Sequence, residues 1–476
     1  MTPELPSHGK TPELREFFRS HIGPNTTLNY DTSGGAVTVV RGQGCYLFDD
    51  EGHKYLDAIN NVTHVGHCHP AVTAAVCKQL STLNTNSRFL HPSQKVYVSR
   101  LLATLPEQLE VAYLVTTGSE ANDLALRICT GMSAVGATHV AVIGGAYHGH
   151  TQALIDLSPY KFWGTGGGGK PGHVHVMPCP DPYRGEHLDG RRAARGAIAA
   201  ARRAGGRICA FYAESLLSCG GQVIFPPNYL KEVYEEMRAE GAVCIADEVQ
   251  CGFGRIGASF WGYELYGVEP DIVVLGKAIG NGYPLAAVVV SRQAADAWHN
   301  GMEYFNTYGG STAAIAAGLA TLTAVQEEGM MAKSAQTGVY LLSRLKALQP
   351  LFPCMGDVRG SGLFAGIEVV TDPVSKTHAP MVAKWIKSRM LARYVMMSTD
   401  GPYDNVIKIK PPMVFGTAEV DTLVETLRAM LTEELTPGMW AQLMLKEAAH
   451  KIAVMGPRME LYHENAQQIY GLASKM

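Results

Sequence analysis

An α/β fold built on a mostly parallel sheet is what this sequence predicts, and three observations predict it. Between about residues 70 and 320, short apolar, β-branched runs alternate with stretches of helical periodicity; such alternation buries parallel strands beneath helices. Two of those runs stop on chemistry: AVCIADEVQCGFGR ends its strand on Asp247, and DIVVLGKAIGNGYPLAAVVV places Lys277 just past another. The chain is also long, at 476 residues, enough for two or three domains with large cores.

The elements follow in order. The first thirty or so residues are polar and Pro-rich, with one helical stretch around 14–18. VTVVRGQGCYLFDDEGHKYLDAIN reads as a strand–turn–strand entry, with DDEG at 49–52 as its turn. Strands are expected at 112–115, 139–143, 208–214, 243–247, 272–275 and 286–291. A long helix over 312–328 leads to a second α/β segment, with GDVRGSGLFAGIEVV and NVIKIKPPMVF as its strands. The last forty residues are helical in pattern, broken at Gly456-Pro457. The expected boundaries are an N-terminal part of a small domain at 1–69, a large domain at 70–320, the rest of the small domain at 321–436, and a helical tail at 437–476.

Composition narrows the function classes. The net charge is −3 with no basic stripe, which argues against a nucleic-acid partner. No apolar run reaches the length of a membrane span. Ten cysteines without a CxxC pair suit free thiols in a reducing compartment. The first residues lack an apolar signal core and carry too many acids for a transit peptide, so a cytoplasmic location is expected. Ser474-Lys475-Met476 resembles a peroxisomal address and keeps that organelle as the weaker reading.

The chemistry-bearing residues converge. A Lys and an Asp at the carboxyl rim of a parallel sheet sit where α/β proteins build their sites, and burying either is costly without a role. A lysine that forms a Schiff base with an acid that pairs with a pyridinium nitrogen describes a pyridoxal phosphate site. The plainer alternative is a helix-capping Asp and a solvated Lys. TTGSEANDLALR follows a strand and opens a helix, so the N–H groups around Gly118-Ser119-Glu120 can hold a phosphate. An ordinary N-cap reads equally well there. Tyr147, in GGAYHGH, can lay its ring on a flat cofactor. Two tempting motifs are set aside. GTGGGGKPG has Pro171 where a phosphate loop needs Ser or Thr. THVGHCHP lacks a second ligand pair for zinc.

With GSEAND, YHG, DEVQCGFGR, GKAIGNGYP and TYGG in that order, the chain resembles the class III aminotransferases over residues 34–431. The resemblance implies pyridoxal-phosphate fold type I: a mostly parallel seven-stranded sheet in a large domain, with a smaller α/β domain formed by both termini. It also implies roles. Lys277 is the Schiff-base lysine and general base, and Asp247 pairs with the ring nitrogen. Gln250 reaches the ring hydroxyl, Tyr147 stacks on the ring, and Gly118 and Ser119 bind the phosphate. Thr307 would bind the phosphate of the neighbouring subunit's cofactor, which implies a homodimer.

One departure points to substrate. Where amino-acid-handling members carry an Arg before a Pro-Pro pair, this chain reads VIKIKPP, with Lys408 in the Arg position. A lysine lacks the planar fork that carboxylates prefer and suits phosphate as a point charge. Drift between two cations is the simpler explanation. NNVTHVGHCHP, LNTNSRFLH, SPYKF, AESLLSCGGQ and IKIKPPM resemble the phospho-lyases that act on phosphoethanolamine and on phosphohydroxylysine. Arg88, Lys408 and Lys410 are then candidate anchors for a phosphorylated amine. Elimination of phosphate and ammonia to give acetaldehyde is the expected reaction. Transamination by the same residues, and a fold retained without catalysis, remain the alternatives.

Overall fold

A computed structural model of the chain describes residues 11–23, 26, 31–32, 35–132 and 137–450. Gly456-Pro457 and Ser474-Lys475-Met476 lie outside the described residues. The central sheet has seven strands in the order Val111–Val115, Ala286–Val290, Ile272–Leu275, Val243–Asp247, Arg207–Glu214, Ala137–Ile143, Val174–Met177. Ala286–Val290 runs antiparallel to both neighbours, and the other four contacts are all parallel. Five parallel strands therefore bring their carboxyl ends to one rim, and Asp247 and Glu214 face each other there in register.

The sheet is apolar on both faces, which is why its strands read as continuous hydrophobic runs. Side chains alternate between two cores: Ile245, Val274 and Val288 on one face, Cys244, Ala246, Val273 and Val289 on the other. The six expected strands stand within two residues of their predicted ends. Val174–Met177 is the addition. The entry segment holds three strands, Val39–Gln43, Tyr46–Asp49 and Lys54–Asp57, and the 49–52 turn joins the last two.

A second core gathers Leu341, Leu345, Ile367, Ile407 and Leu423 with Leu56 and Ala58 from the entry segment. Val395–Met396 pairs in parallel with Lys54–Asp57, so chain from both ends builds this unit. Its antiparallel sheet runs Met355–Ser361, Phe364–Val369, Val406–Ile409, Ser398–Asp400. Two backbone bonds stitch the segment after Val406–Ile409 to the entry segment: Lys410 N–H to Ala58 O at 2.8 Å and Met413 N–H to His64 O at 2.7 Å. Buried Arg255 adds side-chain bonds to the Leu363 and Pro411 carbonyls at 3.1 and 2.8 Å. The tail begins as a helix, Pro437–His450, that packs on Pro380–Leu391. No described helix is long and apolar enough to cross a membrane.

Candidate functional site

Asp247 is buried at the carboxyl end of its strand. Its Oδ2 accepts from Asn122 Nδ2 at 2.8 Å and lies 2.9 Å from His148 Nδ1; its Oδ1 accepts the Val249 N–H at 3.2 Å. A carboxylate gripped by three donors keeps one orientation. Glu214, across the register, is the second buried acid. Burial, then the charge of Asp247, pushes its carboxyl up to about 7. Two adjacent acids cannot both ionise cheaply in a dry site. Its oxygens accept the N–H groups of Tyr147 and Ser218, each at 3.1 Å.

Lys277 leaves its strand through Gly276 and opens the short turn Lys277–Gly280 at φ +36°. A branched-off backbone of that hand is uncommon for a side-chain-bearing residue and is held only where the surroundings impose it. Burial pushes its ammonium below the ordinary lysine value, against the opposing pull of Cys219, Asp247 and Glu214; Lys408 adds to the lowering. A lysine with a lowered pKa offers more free amine for nucleophilic attack.

The helix Gly118–Met132 starts beside this turn. An added Cβ on Gly276 would meet Gly118 Cα at 3.4 Å, and one on Gly118 would meet Val249 Cγ2 at 3.0 Å. The two glycines thus let three backbone segments converge. First-turn N–H groups have no intrahelical partner, so those of Gly118 and Ser119 head an anion site. Glu120 folds back to take the Thr116 and Thr117 N–H groups at 2.8 and 3.0 Å, and Ser119 Oγ accepts the His150 N–H at 3.1 Å. Tyr147 is half-buried, with its ring edge-on to Tyr160 at 6.0 Å between centroids.

Gln250, Lys408 and Lys410 close the other side. Gln250 Oε1 accepts from Asn61 Nδ2 at 3.2 Å and Lys410 Nζ at 2.9 Å. Lys408 lies in the strand Val406–Ile409 and Lys410 one residue past its end. Lys408 Nζ pairs with Asp400 Oδ2 at 2.8 Å. Burial alone would lower Lys408, but Asp400 holds its ammonium above the ordinary lysine value. Lys410 is fully buried and also bonds Ser218 Oγ; burial and then Lys408 push it down to about 7.

The structure therefore brings together Lys277, Asp247, Gly118, Ser119, Gln250, Lys408 and Lys410, with Tyr147 tied to the same site through Glu214. It does not bring Arg88 or Thr307 there within one chain. Arg88 is exposed, pairs with Glu303 at 2.9 Å and lies 4.0 Å over the Phe305 ring; Thr307 is exposed two residues farther on. Arg88, the candidate second phosphate anchor, has its guanidinium engaged on the surface of the single chain.

Sequence reading missed Asn122, His148, Glu214, Asn61, Ser218 and Asp400. Glu214 carried a usable signal, since it ends an expected strand just as Asp247 does. Asn122 and His148 lay inside quoted motifs. The histidines of THVGHCHP are engaged elsewhere: His64 with the Phe253 carbonyl at 2.8 Å, His67 with Asp57 at 2.7 Å, His69 with Glu328 at 3.0 Å. Lys170 of the glycine-rich loop spends its donors on the Pro171 and Val174 carbonyls at 3.3 and 3.0 Å.

The donor set fits pyridoxal phosphate. A buried acid stands where a ring N–H can bond, an amine of lowered pKa faces it, and a helix start cleared by two glycines can take the phosphate. Comparison with known proteins agrees. The family model for aminotransferase class-III matches residues 29–431. "Alanine--glyoxylate aminotransferase 2-like" of Drosophila melanogaster is 45% identical over 87% of this chain and 85% of its own. "Ethanolamine-phosphate phospho-lyase homolog 1" of Caenorhabditis elegans is 40% identical over 88% and 93%. Among solved structures, a phospholyase from Arthrobacter in complex with phosphoethanolamine superposes with a TM-score of 0.82 at 36% identity, covering 88% of this chain and 99% of that one.

Proposed function

Since the chain belongs to the class III aminotransferase family, whose members work with pyridoxal phosphate, we propose that it is a phospho-lyase that eliminates phosphate and ammonia from phosphoethanolamine to give acetaldehyde. One observation carries the reading: a lysine, Lys408, and not a forked guanidinium, stands paired with buried Asp400, two residues from the Lys410 that bonds Gln250. The phosphoethanolamine bound by the Arthrobacter relative supports the substrate class.

The cofactor supplies an electron sink that acidifies the carbon next to the substrate nitrogen. The rest falls to the chain. When the cofactor is bound, Asp247, fixed by Asn122, His148 and the Val249 N–H, would hold its ring nitrogen, Gly118 and Ser119 its phosphate, Tyr147 its ring and Gln250 its ring oxygen. Lys277 would anchor it and serve as the base that takes the substrate proton. Lys408 stabilises the charge that the departing phosphate gains. Asp400 holds that ammonium charged and aimed before substrate arrives.

A homodimer belongs to this proposal. Around Arg88 and Thr307 the chain exposes Phe89, a fully exposed Leu90, Met302 and Tyr308. Such a cluster on the surface of one chain is suited to burial against a second copy. That copy's site would then receive Thr307 and bring Arg88 to the same interface.

Incubation with phosphoethanolamine should release inorganic phosphate with no keto acid added. Phosphohydroxylysine is the parallel arm. No release from either substrate sinks the lyase reading. Transamination is the second reading, and the 45% identity to the Drosophila protein favours it. It requires a keto acid for turnover and leaves the phosphate on its carbon.

A further inference from the structure

The site controls the orientation of Gln250 through an unusual neighbour. An amide oxygen offers two acceptor positions, and on Gln250 both are filled, by Asn61 Nδ2 at 3.2 Å and Lys410 Nζ at 2.9 Å. The Gln250 NH2 consequently points the other way, to within 3.8 Å of Cys219 Sγ. The Gln250 NH2 is thus turned away from Asn61 and Lys410, toward Cys219.

Asn61 cannot fix this polarity alone. Asn61 and Gln250 are both amides, and the pair keeps a hydrogen bond if both turn end for end. Lys410 breaks that symmetry, because an ammonium has no acceptor. It sits fully buried among Ser218, Gln250 and the Phe364 ring, 5.0 Å from the ring centroid. A buried lysine is costly where an apolar side chain would fill the same volume.

We propose that Lys410 is a positioning residue: with Asn61 it locks the Gln250 carboxamide so that its NH2 faces the cofactor's ring oxygen, and it does not hold the substrate phosphate. This goes against the sequence expectation for Lys410. It rests on the placement of the cofactor ring between Asp247 and Gln250, and is independent of whether the enzyme eliminates or transaminates.

The test uses Lys410→Met, Lys410→Gln, Gln250→Ala and the double variant Lys410→Met/Gln250→Ala. The readouts are the dissociation constant of pyridoxal phosphate for the apo-protein and the pH midpoint of the bound cofactor's visible band. Lys410→Met should weaken cofactor binding about tenfold, as loss of one charge-assisted hydrogen bond does, and move the midpoint. Lys410→Gln can donate or accept, so it should recover only part of that loss. The double variant should be no worse than Gln250→Ala, since Lys410 acts through Gln250. The proposal is overturned if the two losses multiply in the double variant. It is equally overturned if Lys410→Met leaves both cofactor readouts unchanged while raising KM for phosphoethanolamine or weakening competition by inorganic phosphate. Should Lys410→Met fail to fold, Lys410→Gln decides: cofactor binding and a band midpoint both equal to the parent's would overturn the proposal.

Discussion

At Lys277 the left-handed backbone, the lowered ammonium and the facing acids coincide on one residue. Replacing it with Ala removes a covalent and an acid–base group together, so turnover should fall by several orders of magnitude. The melting temperature should shift little, because Lys277 belongs to neither apolar core. More than a few per cent of residual activity in steady-state assays would show that another lysine does this work. Lys408 needs a different substitution. Lys408→Ala strands the buried Asp400 carboxylate, which costs about 3–5 kcal/mol of stability when a partner is removed, and confounds the kinetics. Lys408→Arg keeps the pair with Asp400. It should lower kcat/KM for phosphoethanolamine roughly tenfold while acceptance of an amine bearing an α-carboxylate holds or rises. Unchanged phosphoethanolamine kinetics in that variant would reduce Lys408 to drift. These residues were unevenly legible. Asp247 announced itself as an acid ending an apolar run. Asp400 did not, because its contact with Lys408 crosses an antiparallel pair that only the folded sheet defines.

Among the elements, the strands that bury both faces were read from the sequence with ends close to those observed, since a run such as Ile272–Leu275 has no polar face to mislead. Val174–Met177 escaped notice because it is four residues long, contains His175 and is fenced by Pro171 and Pro178. The entry segment was read as two strands although it forms three, since Gly44 and Cys45 hide a tight turn at φ +59°. Close backbone approaches were not legible at all. The helix Met330–Leu348 rests against the turn at Gly362, where a Cβ on Gly338 would come within 2.4 Å of the Gly362 Cα. Gly338→Ala should therefore destabilise the protein by about 1–3 kcal/mol through overpacking. Denaturant unfolding would measure it, and the cofactor's visible spectrum should not change. A variant as stable as the parent would mean that the helix slides freely on this turn.

Over the whole molecule, one ion cluster ties the two cores. Glu368 meets Arg184 at 2.7 Å and Arg359 at 2.8 Å, and Arg359 donates to the Gly221 carbonyl at 2.6 and 3.0 Å. Burial alone would raise the Glu368 carboxyl, but Arg359 and Arg184 override it and bring it down to about 2 from 4.5. A depressed carboxyl stabilises the fold fully above pH 4.5, and that contribution is lost as pH falls through 2. Glu368→Gln should cost roughly 3 kcal/mol at neutral pH. The gap to the parent should narrow in urea titrations as pH drops below 4.5. A gap independent of pH would refute the charge account. The dimer is testable at the same scale. Chains carrying Lys277→Ala mixed with chains carrying Thr307→Asp should regain roughly a quarter of parent activity, because random pairing leaves one intact site in half the dimers. No recovery would place Thr307 in its own chain's site. Both termini's joint unit was foreseen through family likeness; the surface position of Arg88 was not, because its pairing with Glu303 crosses more than two hundred residues of chain.

The edge strand Val111–Val115 has one sheet partner among the described residues, Ala286–Val290, in which Val290 opposes Val111 and Ala286 opposes Val115. The Gly118 helix leaves directly from that edge strand. During synthesis the ribosome must therefore make the whole intervening chain before the edge strand can dock, a wait on the order of ten seconds. Throughout it, the segment that will carry the phosphate cradle has no sheet to stand on. Long-range pairing of this kind slows folding and leaves apolar edges open to chaperones or aggregation. The strand that leads into the Gly118 helix therefore joins the sheet only after residue 290 has been made.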